Sequence, residues 1–368
     1  MKVPFFNYPS VYKRYKADFI RILDEVGNRG AFIMQDDLEK FEETIATYSN
    51  CNYAVGVGNA TDALEMLIQV SDIKKDDEVI ISTHTMIATA SAISANGAIP
   101  VPVECGTDHL IDPESIEKAI NSKTKCIMPT QLNGRTANMD DICRIADEYG
   151  LKIIEDSAQA LGSKYKGKNA GTFGVGGCVS FYPAKVLGCL GDGGIILCND
   201  KNVYEHLVMM RDHGRDPVSG DVLLWGRNSR LDNLQAAFLN HQFDFYNDVV
   251  KRRRDIAQIY NNRLCEIPHL FLPPKPDEHE DHYDIYQNYE IESDNRDSLK
   301  YFLSQNGIGT LVQWGGKGVH QFKKLGFDTS LPFSEKIFER MLLLPINMSI
   351  TDEEVNYVCD KIQSFYDL

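Results

Sequence analysis

The sequence lacks closely spaced cysteines, long apolar runs and an excess of basic residues. Its nine cysteines stand singly with no CxxC pair, which is not the pattern of a disulfide framework or a zinc site. No apolar stretch approaches the length of a membrane-spanning helix, and the first residues lack the apolar core of a signal peptide. These absences predict a soluble, cytoplasmic protein with reduced thiols and no bound metal.

The charge balance is acidic, with 38 basic against 53 acidic residues and a formal net charge of -15. Such a field repels nucleic acids and anionic membranes, so neither is expected as a partner. The basic run at 251–254 lies within a helical pattern, where a solvated or interface face is the expected role. An anionic ligand would therefore depend on backbone amides and a few local cations.

Short apolar runs alternate with helix-like stretches between residues 50 and 200. This rhythm predicts an α/β fold with an open, mainly parallel sheet wrapped by helices. Ligands of such sheets bind at the carboxyl ends of the strands. The residues that follow these predicted strands are therefore the first candidates for a functional site.

The pattern changes after Gly194. A long helix is predicted from Asp232 to Leu264, followed by a proline-rich linker and a second mixed region with a short strand at "GTLVQW". A chain of 368 residues is long enough for two domains. We predict a large ligand-binding domain over residues 1–245 and a smaller C-terminal α+β domain over residues 246–368.

The stretch "GVGNATDAL" ends a predicted strand with glycines and opens a helix at Thr61, with Asp62 in the first turn. Free amides at a helix start can cradle a phosphate, although ordinary helix capping explains the same residues. The third glycine of the dinucleotide-binding fingerprint is missing, so that motif is not indicated.

Asp156 follows the apolar strand "KIIE" and is expected at the carboxyl end of that strand, facing the crevice. A carboxylate there can bind a metal, act as a base or pair with a protonated ring nitrogen. The neighbouring Ser157 and Gln159 do not supply the further ligands that a metal requires. From the residues alone, a capping role for Asp156 remains open.

Lys185 lies between the aromatic "SFYP" and the glycine-rich "GCLGDGG". In isolation it is either a surface lysine or an amine desolvated among Phe181, Tyr182 and Leu187. Desolvation lowers the pKa of a lysine, and a neutral amine forms a Schiff base with an aldehyde. Pyridoxal phosphate requires a lysine, a carboxylate at its ring nitrogen and a helix start for its phosphate, so the three candidates together predict this cofactor.

Several segments together resemble the DegT-type family of nucleotide-sugar aminotransferases, which bind pyridoxal phosphate and have the aspartate-aminotransferase fold (fold type I). The segments that carry the resemblance are "GNATDAL", "DEVIIS", "IEDSAQALGSKYKGKNAGTFG", "SFYPAKVLGCLGDGG" and "GRNSRLDNLQAA". The resemblance covers nearly the whole chain and implies a large cofactor-binding domain followed by the smaller C-terminal domain. It also implies a homodimer in which each active site is built from both subunits.

The resemblance implies a role for each residue that matches a family motif. Lys185 would form the Schiff base with the cofactor and carry the proton between the two carbons, and Asp156 would pair with the ring nitrogen. Gln159 would approach the ring near its hydroxyl, and Asn228 would reach the phosphate from the neighbouring subunit. The remaining cofactor contacts would come from Asn59, Ala60, Thr61, Ser180 and Met86.

Three positions depart from the family pattern. Met86 stands where an aromatic residue often stacks on the ring, with His84 as an unassigned neighbour, and Gln131 replaces a family histidine. The segment "VQWGGKGVHQF" stands where relatives have a His-Tyr-Pro sequence. The candidates in it for contact with the sugar or the nucleotide are Gln313, Trp314, Lys317 and His320. Trp314 is also a candidate anchor between the domains.

The resemblance implies an aminotransferase that moves an amino group from glutamate to a nucleotide-linked keto-deoxysugar. The expected substrate is dTDP-4-keto-6-deoxyglucose, converted to the 4-amino-4,6-dideoxy sugar, and the main alternative is a 3-keto-6-deoxyhexose. A sugar 3-dehydratase of the same fold is disfavoured, because those relatives have a histidine where this chain has Lys185. A non-catalytic, ligand-binding regulator would be expected to lose Lys185 or Asp156, and both are present.

Overall fold

The structure, a computed structural model, describes residues 1–366 and contains three β-sheets within them. The strands are β1 (Tyr53–Val57), β2 (Glu78–Ser82), β3 (Ile99–Val103), β4 (Thr124–Met128), β5 (Lys152–Asp156), β6 (Lys164–Tyr165), β7 (Lys168–Asn169), β8 (Gly176–Ser180), β9 (Gly194–Cys198), β10 (Leu270–Phe271), β11 (His282–Tyr283), β12 (Tyr289–Ser293) and β13 (Met341–Leu344). Seven of them form the central sheet, in the order β1-β9-β8-β5-β4-β2-β3.

The central sheet is mainly parallel, as predicted. β2, β3, β4, β5 and β8 pair in parallel, while β9 runs antiparallel to its two neighbours, β1 and β8. Successive residues point to opposite faces of a strand, and Ile81 packs in the core on one face while Ile80 packs in the core on the other. Burial on both faces explains why these strands read as continuous apolar runs in the sequence.

The α-helices are α1 (Tyr8–Arg29), α2 (Asp36–Ser49), α3 (Ala60–Val70), α4 (Ile87–Ala95), α5 (Pro113–Ala119), α6 (Met139–Tyr149), α7 (Lys201–Arg211), α8 (Asn233–Phe243), α9 (Tyr246–Leu264), α10 (Arg296–Gln305), α11 (Pro332–Arg340) and α12 (Asp352–Tyr366). Those of the first part of the chain cover both faces of the central sheet. α3, α4 and α7 pack on one face, and α2, α5, α6 and α8 pack on the other.

A second sheet, β10-β12-β13, lies in the C-terminal part of the chain. α9, α10 and α12 bury a separate apolar core against it. The start of the chain joins this core, because Val3 is fully buried and forms a parallel bridge with Ile308. The domain boundary near residue 245 stays a prediction.

The prediction of one long helix from Asp232 to Leu264 is wrong, since the structure has two helices there. α8 ends at Phe243 and α9 begins at Tyr246. No proline or glycine marks the break. The Tyr246 ring is buried and its hydroxyl donates to Leu161 O (2.6 Å), so tertiary packing holds the first residue of α9 in place.

The strand predicted at "GTLVQW" is also wrong. Leu311 makes a single bridge with Leu343, and the chain then turns. Trp314 has a φ of 48°, and Gly315 and Gly316 follow with φ values of 70° and 72°. Backbone in this left-handed region cannot continue a strand, so the segment forms a tight turn instead.

The basic run at 251–254 lies on α9 and contributes to an internal interface, which is one of the two roles that the sequence allows. Arg253 is buried and donates to the carbonyl oxygens of Tyr286 and Gln287 (3.0 Å each). This arginine therefore fixes a segment of the C-terminal part against α9.

The structure also bears on the two predictions about disulfide bonds and membrane-spanning helices. All nine cysteines are free thiols, most of them buried. None of the helices within residues 1–366 has the length and apolar content needed to cross a membrane.

Candidate active site

The carboxyl ends of three parallel strands meet at one edge of the central sheet. β1 leads into α3, β5 ends at Asp156 and β8 ends at Ser180. Gly194, the first residue of the antiparallel β9, pairs with Val57 and Ser180 at this edge. Residues from separate stretches of the sequence are thus brought to one place, where open α/β sheets bind their ligands.

Lys185 lies in the loop between β8 and β9, and several hydrogen bonds fix this loop. The Lys185 amide donates to Tyr182 O (2.8 Å). Gln287, from the C-terminal part of the chain, holds both residues beside the lysine. Its Oε1 accepts from Val186 N and its Nε2 donates to Ala184 O (2.9 Å each). The position of the lysine is therefore set by tertiary structure.

The electrostatic surroundings of Lys185 favour the neutral amine. Burial lowers the pKa of Lys185 to about 8, although the Asp156 carboxylate and the Cys178 thiol oppose this shift. An ordinary lysine has a pKa of about 10.4. Near neutral pH, the neutral fraction of this amine is therefore much larger than that of a surface lysine. The neutral amine is the form that reacts to give a Schiff base.

Asp156 is buried and surrounded by hydrogen-bond donors. Thr89 Oγ1 donates to Oδ2 (2.6 Å), and the Ala158 amide donates to Oδ1 (3.2 Å). The Asp156 backbone bonds to Pro129 O (3.0 Å) and to Gln131 N (2.9 Å). These contacts hold the carboxylate in place at the strand end, where it can accept a further hydrogen bond from a protonated ring nitrogen.

α3 begins at Ala60, one residue before the predicted Thr61, and Asn59 is its N-cap. Asn59 Oδ1 accepts a hydrogen bond from Asp62 N (2.9 Å). Gly194 lies against this start so closely that a Cβ there would be 2.7 Å from the Asn59 carbonyl carbon. The first amides of α3 therefore stand at the edge of the site, and a helix N-terminus attracts phosphate.

Three further predicted cofactor residues lie around the same edge. Gln159 is half-buried, and its Oε1 accepts from Asn133 N (2.8 Å). Ser180 Oγ accepts from Tyr182 N (3.2 Å). Met86 is 53% exposed at the N-cap of α4, so its side chain is accessible to a ring placed beside it.

Asn228 is exposed and forms a backbone bridge with Asp212. The next residue, Ser229, accepts a hydrogen bond from Gly58 N (3.1 Å), just before α3 begins. The segment that carries Asn228 is thus tied to the phosphate end of the site in its own subunit. A contact between Asn228 and a neighbouring subunit stays a prediction.

The predicted substrate residues lie in different environments. Gln313 is buried, Lys317 is exposed, and the Trp314 ring packs edge-to-face on His84 with 5.4 Å between ring centroids. These three positions stay candidates for contact with a sugar or a nucleotide.

His320, the fourth predicted substrate residue, is fully buried. Its Nδ1 lies 2.5 Å from Thr83 Oγ1, and its Nε2 lies 3.2 Å from Glu335 Oε1. Both ring nitrogens are therefore engaged by the protein itself, and a role in substrate contact stays a prediction.

His84, the unassigned neighbour of Met86, lies in a buried cluster with His109 and Glu290. His109 Nδ1 is 2.5 Å from a Glu290 oxygen, and its Nε2 is 3.0 Å from a Glu292 oxygen. Burial acts to lower the pKa of His109, but the hydrogen bonds to both glutamates outweigh it and raise this pKa to about 10. His109 is thus a partly exposed cation between two carboxylates, and the cluster joins the large sheet to the small one.

Sequence reasoning missed three residues that support the site, namely Thr89, Asn133 and Gln287. Thr89 carries a signal, because it is a polar residue in the first turn of α4, the apolar helix that follows β2. The other two carry none. Gln287 reaches the loop of Lys185 from 101 residues away in the sequence, measured from Val186.

The residues at this edge fit pyridoxal phosphate. The Lys185 amine would meet its aldehyde, Asp156 its ring nitrogen and the start of α3 its phosphate. When bound, that cofactor supplies an electron sink that allows an amino group to be exchanged for a keto group. The fold and the site together define the class of a pyridoxal-phosphate-dependent enzyme.

Comparison with known proteins gives the family within this class. The chain belongs to the DegT/DnrJ/EryC1/StrS aminotransferase family, whose sequence model matches residues 13–363. It is 38% identical to a protein of Geobacillus stearothermophilus named pleiotropic regulatory protein, over 100% of this chain and 99% of that relative. It is 36% identical to the dTDP-3-amino-3,6-dideoxy-alpha-D-galactopyranose transaminase of Aneurinibacillus thermoaerophilus, over 99% of both chains.

A solved structure shows the same fold over the whole chain. The S. venezuelae protein DesV superposes with a TM-score of 0.95 at 34% identity, covering 100% of this chain and 99% of that one. The predicted family, fold class and cofactor are confirmed by these similarities, and the protein is a pyridoxal-phosphate-dependent aminotransferase.

Proposed function

We propose that the protein transfers an amino group from glutamate to the keto carbon of a nucleotide-linked deoxysugar. The observation that carries this proposal is the Lys185 amine, which has a pKa of about 8 and interacts with Asp156 at the carboxyl edge of the sheet. An amine with this pKa can take up and release a proton near neutral pH. Amino transfer requires such a proton exchange at carbon in each half of the cycle.

The other residues hold and orient the reacting groups in this proposal. Asp156 accepts a hydrogen bond from the protonated ring nitrogen, the first amides of α3 bind the phosphate and Gln159 approaches the ring hydroxyl. Lys185 removes the proton from one carbon and delivers it to the other from a single face. Asn228 contributes from the second subunit of a homodimer, so that each site is completed by the partner chain.

The sugar and its keto carbon are inferred from the relatives. The relative from Aneurinibacillus is named for a dTDP-linked 3-amino sugar, and its similarity extends over nearly the whole chain. This favours a dTDP-linked 3-keto-6-deoxyhexose over the dTDP-4-keto-6-deoxyglucose expected from the sequence, which is the second candidate. Exposed Lys317 is the residue we assign to the diphosphate, since an acidic protein needs a local cation there.

A purely regulatory function is not favoured, although one relative is named a regulatory protein. A ligand-binding protein without catalysis has no need of a desolvated lysine beside a buried carboxylate. The same lysine opposes a sugar 3-dehydratase, in which we expect a histidine at position 185.

A paired turnover assay tests the proposal. The loaded enzyme is incubated with glutamate and either dTDP-3-keto-6-deoxyglucose or dTDP-4-keto-6-deoxyglucose, and mass spectrometry identifies the amino sugar. Product from the 3-keto sugar alone is the expected result, and product from the 4-keto sugar alone would move the amination to carbon 4.

The half-reaction with glutamate serves as the internal control. Formation of 2-oxoglutarate without any amino sugar would rule out both dTDP sugars as substrates. The assignment as an aminotransferase that uses glutamate would still hold. Failure of this half-reaction in a loaded enzyme would overturn the choice of glutamate as the amino donor.

A further inference from the structure

A row of buried hydroxyl groups leads to Asp156 from two neighbouring strand ends. Thr130 Oγ1 donates to Thr85 Oγ1 (2.8 Å), Thr85 Oγ1 lies 2.7 Å from Thr89 Oγ1, and Thr89 Oγ1 donates to Asp156 Oδ2 (2.6 Å). The three threonines are at most 5% exposed. We call Thr130, Thr85 and Thr89 the threonine chain.

The direction of these hydrogen bonds is fixed by chemistry. An ionised carboxylate only accepts, so the single Thr89 proton must point to Asp156. Thr89 can then only accept from Thr85, and Thr85 can only accept from Thr130. Each hydroxyl of the threonine chain therefore donates toward the carboxylate, and such aligned bonds polarise one another in a buried setting.

The members of the threonine chain come from elements that also fix the backbone of Asp156. Thr85 follows β2, Thr89 lies in the first turn of α4, and Thr130 follows β4. The residues on either side of Thr130 bond to the Asp156 backbone, through Pro129 O and Gln131 N. The same short loop thus holds the main chain of Asp156 directly and its side chain through the hydroxyls.

We propose that Thr85 and Thr130 are positioning residues, which act through Thr89 to hold the Asp156 carboxylate in the correct orientation for the cofactor ring. Neither of them bonds to the carboxylate itself. This inference rests on the proposed pairing of Asp156 with the ring nitrogen. It goes beyond that pairing by assigning the control of Asp156 to two residues outside the cofactor contacts.

Two titratable groups also face Asp156. Cys178 Sγ lies 3.6 Å from Oδ1, and burial followed by the charge of Asp156 raises the pKa of this thiol well above its usual range. Cys178 therefore stays protonated across the working pH range. The Lys185 amine is the group near Asp156 that changes its charge there in the apoenzyme, and this amine would be the one to react with the aldehyde of the cofactor.

The test compares substitutions that remove a hydroxyl with substitutions that keep it. Thr85→Val and Thr130→Val remove the donor with little change of shape, while Thr85→Ser keeps it. Thr136→Val is the matched control, because Thr136 is equally buried and shares its hydroxyl bond with Ser163 (2.6 Å) instead of Asp156.

Three properties are measured on each purified variant. They are the dissociation constant of pyridoxal phosphate from the apoenzyme, the midpoint pH of the visible absorbance change of the loaded enzyme, and the melting temperature of the apoenzyme. We expect Thr85→Val to raise the dissociation constant about threefold or more, the effect of losing one modest hydrogen bond. We expect Thr85→Ser to restore the wild-type value and Thr136→Val to leave it unchanged.

Asp156→Asn separates the two levels of the inference. If it leaves both the dissociation constant and the midpoint pH unchanged, the pairing of Asp156 with the ring is refuted. If it shifts them and Thr85→Val shifts them in the same direction by a smaller amount, the positioning role is supported. If Asp156→Asn shifts them while Thr85→Val and Thr130→Val change only the melting temperature, the threonine chain is merely structural. Should Thr85→Val fail to fold, Thr130→Val decides alone.

Discussion

The Lys185 amine is desolvated beside a glycine-rich loop, yet it interacts with the Asp156 carboxylate. Burial favours the neutral amine and the carboxylate favours the charged one, and burial is the larger effect, leaving a pKa of about 8. The amine is thus neutral above pH 8 and charged below it. Its reactivity as a nucleophile must fall as the pH is lowered through this value.

Apoenzyme should therefore react with pyridoxal phosphate at a rate that rises between pH 7 and pH 9. We expect a midpoint near 8 in the rate of appearance of the visible absorbance, measured by stopped flow in a series of buffers. Free Nα-acetyl-lysine, measured in the same buffers, gives the reference with its much higher pKa. A midpoint above 10 for the enzyme would show that the amine is not desolvated.

Removal of the same amine should abolish catalysis without loss of the fold. For Lys185→Ala we expect turnover to fall at least about a thousandfold, since the residue that reacts is gone. The melting temperature of the apoenzyme should not fall, because the change removes a costly buried amine and no hydrogen bond of the loop backbone. Lys201→Ala, at an exposed position on α7, is the control and should keep full turnover. Substantial turnover by Lys185→Ala would refute the assignment.

At the scale of single elements, α3 combines a structural cap with a predicted phosphate site. Asn59 caps α3, and Asn138 caps α6 through the same kind of contact, with Asn138 Oδ1 accepting from Asp141 N (3.3 Å). The two caps differ in their place, since α3 begins at the carboxyl edge of β1 beside Gly194. They therefore offer a comparison between capping alone and capping at the site.

Asn59→Ala should destabilise the protein by about 1 kcal/mol, the usual effect of losing an N-cap. Asn138→Ala should destabilise it by at least as much, because Asn138 Oδ1 also accepts from the Tyr165 hydroxyl (3.0 Å). Only Asn59→Ala should also weaken the binding of pyridoxal phosphate, because it loosens the amides that we assign to the phosphate. Urea unfolding of the apoenzyme measures the first effect, and titration of the apoenzyme with cofactor measures the second. Equal cofactor affinity in both variants would argue against a phosphate site at α3.

Single elements also show how far the sequence could predict the structure. The residues after β5 and β8 could be placed, because carboxyl ends of parallel strands meet at one edge and each strand is a clear apolar run. The break between α8 and α9 could not, since it depends on the burial of Tyr246 and has no local breaker. The two hydrogen bonds from Gln287 to the loop of Lys185 could not be predicted either. No local sequence pattern distinguishes a glutamine that bonds to a distant loop.

At the scale of the whole molecule, one hairpin exposes an unusual amount of apolar surface. Residues 212–225 fold back through a bridge between Arg215 and Val222. Val218 is 94% exposed and Trp225 is 98% exposed. Apolar residues clustered in this way usually mark an interface, and the hairpin leads directly to Asn228, which we assign to the neighbouring subunit.

The protein should therefore be a dimer that depends on this hairpin. We expect Trp225→Ser to weaken dimerisation at least about tenfold, since a buried tryptophan is often a dominant interface contact. Sedimentation velocity over a range of concentrations measures the dissociation constant. Tyr301→Ser, at a residue 67% exposed on α10, is the control and should leave it unchanged. A monomeric wild type would contradict the homodimer.

The segment that carries Gln287 has a consequence for how such enzymes can be recombined. It is attached to α9 through Arg253 and to the reactive loop through Val186 and Ala184. A chimaera of two relatives joined near residue 245 would pair the lysine loop of one parent with the glutamine of the other. If the parents are joined after residue 287, the lysine loop, Gln287 and Arg253 all come from the same parent. The later segment, which carries the candidate substrate residues, can then be exchanged without breaking these contacts.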